Sequence, residues 1–188
     1  DVLVGTAPYP LRARILENTK TTGLTIAETD ARLQEQLVHI LEEMAEQAET
    51  QGDMPRLLTG HFTVGGALVG SERSIMLGRD VSVPRDSLAD TRWDYVALGH
   101  IHKHQNLTAG REDVPPVVYS GSIERIDFGE EGDPKGFCWV ELARNETTWE
   151  FIRLEHVRPF VTLRADLRDD EQPTRTVMQL IERHNLNN

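Results

Sequence analysis

The sequence predicts a mixed α/β fold. Three observations lead there: one long stretch with apolar residues at three- and four-residue spacing, a series of short apolar runs separated by turn residues, and glycine–histidine steps where two of those runs end. Val2-Leu3-Val4, followed by Gly5, Pro8 and Pro10, reads as a short buried strand running into a loop. Thr29 or Asp30 is placed to cap a helix of about twenty residues. Its apolar stripe is Leu33, Leu37, Ile40, Leu41, Met44 and Ala48, and Glu35, Glu42, Glu43, Glu46 and Glu49 form its wet face. Gly52 and Pro55 end it.

Beyond Pro55 the chain turns strand-like. Short apolar runs occur at Arg56–Thr59, Asp94–Leu98, Val117–Tyr119, Ile123–Phe128, Phe137–Leu142, Trp149–Leu154 and Val161–Ala165, with a hairpin turn expected at Asn145-Glu146. Residues 103–116 form a long polar connection ending in Pro115-Pro116, and loops of that length usually have a function or move. Near Val157–Pro159 the character changes. A strand from Phe160 to Leu167, an acidic loop and a helix beginning near Thr174 make a new βα unit. We therefore expect a main domain over 1–157 and the beginning of a second, truncated one over 158–188.

Composition narrows the function classes. The 188 residues are 38% hydrophobic and 27% charged, the pattern of an ordinary soluble globular protein, and no apolar run reaches the roughly 18 residues of a membrane span. The opening residues do not read as the basic and apolar run of a secretory leader, so none is expected from them. A single cysteine, Cys138, excludes an internal disulfide framework and a cysteine-rich zinc site; it reads as a small core residue. The net charge of -11 argues against a basic, DNA-coating protein, yet permits an enzyme that meets phosphate through metal ions. Asp1 opens the chain within a strand-like run and without an initiator Met, so the chain is expected to be a piece of a longer protein.

The histidines carry the chemistry. His61 follows Leu57-Leu58-Thr59-Gly60, and His100 and His102 follow Tyr95-Val96-Ala97-Leu98-Gly99. In an extended segment, residues i and i+2 point to one face, so His100 and His102 could clamp one ion or reach two neighbouring ones. A buried strand that delivers Gly-His at its carboxyl end is a common active-site position in α/β sheets. Imidazole with carboxylate or amide oxygen suits Mn, Zn or Fe. His104 continues the alternation and is a candidate for phosphate contact or for solvent exposure. His39, His156 and His184 have no partner suggested by spacing. Gly65-Gly66 and Gly70 read as pliant backbone beside His61, since no P-loop follows. Ser120-Gly121-Ser122 reads as a tight turn that brings backbone amides near the site, and is no nucleophile elbow.

Three strings together resemble the calcineurin-like metallophosphoesterases, and within them the SbcD nuclease family. They are Leu57-Leu58-Thr59-Gly60-His61-Phe62-Thr63-Val64-Gly65-Gly66, then Asp94-Tyr95-Val96-Ala97-Leu98-Gly99-His100-Ile101-His102-Lys103, then Val118-Tyr119-Ser120-Gly121-Ser122-Ile123-Glu124-Arg125-Ile126-Asp127-Phe128-Gly129-Glu130 running on to Asp133-Pro134-Lys135-Gly136-Phe137. The resemblance covers about residues 1–166. It implies the C-terminal part of a two-sheet β-sandwich flanked by helices, followed by the start of a small α/β DNA-binding cap. It also implies a dinuclear Mn site, with Zn, Fe or Mg as other possibilities, in which His61 and His100 bind one ion and His102 the other. The family's three earlier strings, which carry aspartates and a general-acid histidine, have no counterpart in these residues, so no catalytic acid is assigned.

The activity implied is phosphodiester hydrolysis on DNA, exonucleolytic or endonucleolytic, in repair and recombination. The partners implied are DNA, an SbcC-like SMC-type ATPase and a second copy of the parent protein, in the cytoplasm and with the nucleoid; the 188 residues alone are expected to be inactive. Another metallophosphoesterase, acting on a nucleotide or a phosphoprotein, and a non-catalytic partner-binding piece are the competing readings. Arginine dominates the basic residues, 17 against 3 lysines, and its fork suits phosphate. Lys103, Arg111 and Arg125, with His104, are the candidates for substrate contact.

Overall fold

The computed structural model describes residues 1–17, 22–70 and 81–184. In chain order the elements are β1 (Leu3–Ala7), α1 (Arg12–Ile15), α2 (Ile26–Glu49), β2 (Arg56–His61), β3 (Thr63–Val64), β4 (Ser82–Val83), β5 (Tyr95–Gly99), β6 (Gln105–Asn106), β7 (Val117–Tyr119), β8 (Gly136–Glu141), β9 (Thr148–Arg153) and α3 (Pro173–Arg183). The fold is mixed α/β, as the sequence predicts.

A five-stranded sheet organises these elements in the order β1-β2-β5-β7-β6. The first four strands run parallel, and β6 returns antiparallel to β7. The central strands are apolar without alternation because both faces are covered: Val96, Leu98, Val117, Val118 and Tyr119 are all buried. β3 pairs with β4, and β8 with β9, as separate two-stranded ribbons.

α2 covers the sheet. Leu33, Leu37, Leu41, Ala45 and Ala48 recur every three or four residues and are buried in one cluster with Leu58, Val83, Leu88, Trp93 and Val96. Its start corrects the sequence reading, which favoured Thr29 or Asp30. The cap is Thr25: its hydroxyl accepts from the Glu28 amide at 3.2 Å, while the Glu28 carboxylate accepts from the Thr25 amide at 2.7 Å. Thr25-Ile26-Ala27-Glu28 is thus a capping box. Thr29 already lies inside the first turn, where its hydroxyl donates to the Thr25 carbonyl. Ile40, counted in the apolar stripe, is 40% exposed.

Two predicted strands are absent. Over 123–128 the backbone is diverted into side-chain bonds: the Ile126 amide donates to the Glu130 carboxylate, and Asp127 caps a short 3-10 turn at Phe128–Glu130. Ile123, Ile126 and Phe128 are exposed. Over 160–167 the chain finds no strand partner among the described residues; the Thr162 amide donates to Glu131, and Phe160 meets the edge of Phe128. The hairpin at Asn145 is present between β8 and β9, with Asn145 at φ 63°, a left-handed conformation that asparagine adopts more readily than most residues. The buried Asp94 carboxylate docks this turn on the sheet, accepting from the Arg56 and Asn145 amides and from Arg144. No residue of α3 is buried. Among the described residues, no helix is long and apolar enough to cross a membrane.

The burial pattern makes a stability prediction. Leu41→Ala should lower unfolding free energy by about 2–5 kcal/mol, because it empties a filled core position. Ile40→Ala, one residue earlier, should cost far less. Urea unfolding of the two variants measures the contrast, and equal losses would mean that α2 packs by another face.

Candidate metal centre

Parallel pairing delivers the carboxyl ends of β1, β2, β5 and β7 to one edge, the position that α/β sheets use for ligands. His61 is the last residue of β2 and lies in register with Gly99, the last of β5. His100 follows at once. The His61 and His100 rings lie 5.1 Å apart edge-on, and Tyr9, just beyond β1, lies 5.8 Å from the His100 ring and 6.3 Å from that of His61. Glycine at position 99 leaves the His61 ring its room: a Cβ there would stand 3.0 Å from Nδ1 of His61, a tight contact that the ring would have to yield to.

His100 has φ 90°, a conformation that β-carbon-bearing residues rarely adopt. The strand therefore ends at Gly99, and the expectation that His100 and His102 share one face of an extended segment does not hold. The backbone swings His100 toward His61. His102 instead enters a second contact set, in which its Nδ1 lies 2.8 Å from Oε1 of Glu130. Glu130 is fully buried, and its Oε2 accepts from Nζ of the equally buried Lys135 at 2.6 Å. Burial alone would raise the Glu130 carboxyl. Hydrogen bonds from Lys135 and His102, with the lysine charge, hold it below the ordinary glutamate range.

Among the described residues no three His, Cys, Asp or Glu side chains converge as a complete cation site. The donor chemistry nevertheless fits part of a centre. Two imidazoles adjoin at a strand edge, and a third is bonded through Nδ1 to a carboxylate, the arrangement that orients metal-binding histidines.

The comparisons with known proteins point to the same family. The chain is 30% identical over 168 residues to the SbcD component of the SbcCD nuclease of Bacillus subtilis (strain 168), a match that covers 86% of this chain and 40% of that protein. It is 35% identical over 106 residues to the SbcD component of the Rhodobacter capsulatus nuclease, covering 55% of this chain and 25% of that one. The chain is an SbcD-like metallophosphoesterase sequence. An uncharacterized metallophosphoesterase of Bacillus subtilis, YhaO, is 38% identical over 94 residues, 49% of this chain and 21% of its own length. No protein-family model matches. The SbcD-like chain thus spans 40% or less of the length of each of these relatives.

The remaining candidates separate by place. Lys103 sits between His102 and His104, partly exposed, with its ammonium 3.3 Å from Asp133. The His104 ring stacks on Phe151 at 3.9 Å and bonds through Nδ1 to the Tyr119 carbonyl, so it holds the β8–β9 ribbon against the sheet. Cys138 lies 4.0 Å from that same Nδ1, and burial pushes its thiol up, partly offset by a bond from Tyr95. The Arg125 guanidinium donates to the carbonyls of Glu130, Asp133 and Arg158, tying loops together. Arg111 pairs with Asp86 and lines a surface pocket with Asp94 and Pro116, which precede β5 and β7. That is the amino edge of the sheet, opposite the histidines.

Sequence reasoning passed over Tyr9, Glu130 and Lys135. The last two lie inside the third string, so their place was visible and their pairing was not. Tyr9 carried no signal.

The conformation of His100 is testable without any metal. Removing its side chain as His100→Gly suits the backbone, whereas His100→Ala keeps the strain of a left-handed β-carbon. The glycine variant should be the more stable of the two by on the order of 1 kcal/mol. Thermal unfolding of both decides it; alanine equal to or better than glycine would show a relaxed backbone at position 100.

Proposed function

We propose that the SbcD-like chain supplies the imidazole half of a dinuclear metal centre that hydrolyses phosphodiester bonds in DNA. The convergence of His61 and His100 at the carboxyl edge of the parallel strands carries this reading. In it His61 and His100 hold one ion and His102 the other, with Mn as the resident metal. Divalent ions bound there would supply charge for the scissile phosphate and lower the pKa of an attacking water.

The chain's own residues do the positioning. Gly99 leaves room for the His61 ring, and the backbone at His100 turns its ring toward His61. Tyr119 donates its hydroxyl to the Phe62 carbonyl at 2.6 Å and fixes the chain just after His61. Lys103, beside His102 and partly exposed, is the proposed contact to the DNA backbone. A net charge of -11 is compatible with a DNA substrate in this scheme, because bound cations create the local field that meets phosphate.

The strings that carry aspartate ligands in the family are not in these residues. The complete centre in our reading takes those ligands from elsewhere in a longer parent protein, organised as a two-sheet sandwich. Residues 158–188 then begin its cap, and the exposed apolar side chains of α3, Val177, Met178 and Ile181, await the rest of that cap. The proposed setting is DNA repair and recombination in the cytoplasm, at the nucleoid, with an SbcC-like ATPase and a second copy of the parent as partners.

Paramagnetic Mn2+ tests the site directly. Titrated into the chain, it should broaden the ring resonances of His61, His100 and His102 before those of His39 and His156. Uniform broadening of all five would remove the metal assignment. The chain alone should not cleave linear duplex DNA in Mn2+. Robust cleavage that His100→Ala abolishes would show that the ligand set is already complete here.

A further inference from the structure

Glu130 and Lys135 form a buried ion pair with no exposed side-chain surface. Such a pair contributes little net stability, since desolvation offsets attraction and apolar replacements are often as stable. Its geometry, however, is specific. The Lys135 ammonium has three donors, and three acceptors meet it: Oε2 of Glu130 at 2.6 Å, Oγ of Ser122 at 2.8 Å and the His102 carbonyl at 3.4 Å. These belong to three separate segments around the histidines. Oε2 of Glu130 also accepts from the Ile126 amide at 3.3 Å, which leaves Oε1 to His102. A carboxylate only accepts, so Nδ1 of His102 carries a proton, and in the neutral ring the lone pair lies on Nε2.

We propose that Glu130 and Lys135 are positioning residues for His102: Lys135 orients the Glu130 carboxylate, and Glu130 fixes the His102 ring as the Nδ1–H tautomer, presenting Nε2 as the metal donor. This rests on the reading of His102 as a ligand. Gly121 completes the arrangement. Its φ is 79°, and a Cβ there would come within 2.9 Å of the His102 carbonyl and the His104 amide, so only glycine lets this loop close on Lys135's acceptors.

The substitution Glu130→Gln distinguishes orientation from mere filling of space. Lys135 must still find an acceptor, so the amide oxygen turns to Nζ and the amide NH2 faces His102. An NH2 donor requires a lone pair on Nδ1, which moves the ring proton to Nε2. Long-range 15N–1H spectra of the imidazoles, at about pH 8 where an ordinary histidine is neutral, read this directly. The wild-type chain should show His102 protonated at Nδ1, and E130Q should show it at Nε2. Mn2+ should then need about 10–100 times the concentration to broaden His102, while His39 stays unchanged.

If E130Q fails to fold, the doubly apolar E130L/K135M removes both buried charges together. There His102 should lose its single tautomer and its preference for Mn2+. A wild-type His102 protonated at Nε2 would overturn the inference, as would E130Q spectra identical to wild type. Broadening of His102 that is equally strong in E130Q would overturn it alone. Absence of broadening at all three rings of the wild-type chain would instead remove the ligand reading, and this inference with it.

Discussion

Parallel register is the constraint on which the site depends. β1, β2, β5 and β7 run in one direction, so their carboxyl ends leave the sheet along one edge. The pairing of His61 with Gly99 is one rung of that ladder, and it brings together two histidines 39 positions apart in sequence. A one-residue slip would reverse which face each side chain takes. Burial of Val96, Leu98, Val117 and Tyr119 makes such a slip costly, and so the apolar core sets the geometry of the polar edge.

Around that edge, polar contacts replace regular secondary structure. The strand β5 stops because His100 leaves the extended region, and beyond β7 the segment around Ile126 is held by side chains rather than by a ladder. Tyr119 ties the end of β7 to the residue after His61 and receives the His104 ring at its carbonyl. Glu130 and Lys135 tie the loops of His102 and Ser122 to the start of β8. Buried charges in such numbers are poor stabilisers and good determinants of shape, because each unmet donor or acceptor would cost more than its bond contributes.

The opposite edge is structural by the same physics. Asp94 is buried where β5 begins, and its two oxygens receive donors from β2 and from the β8–β9 turn. Arg111 belongs to that edge. Its guanidinium is well suited to phosphate, but its position sets it among Asp86 and Asp113 instead. Residue type proposes a role, and place in the sheet disposes of it.

The sequence by itself determined the mixed α/β class, the apolar face of α2, the β8–β9 hairpin at Asn145, the strand-terminal glycine–histidine steps and the three strings that carry the resemblance to the SbcD-like proteins. These are local patterns, set by periodicity and by residue chemistry over a few positions. Only the tertiary structure decided which histidine meets which. The Gly-His-x-His string read as one extended face, whereas the left-handed turn at His100 sends its two histidines to different partners. Ile123–Phe128 and Phe160–Leu167 read as strands, but the Ile126 amide donates to Glu130 and the Thr162 amide to Glu131. Strand propensity is a preference for a pleated, half-buried surface, and no such surface was offered at those positions. The Glu130–Lys135 pair was invisible for the same reason: a buried ion pair has meaning only once folding has removed the water around it.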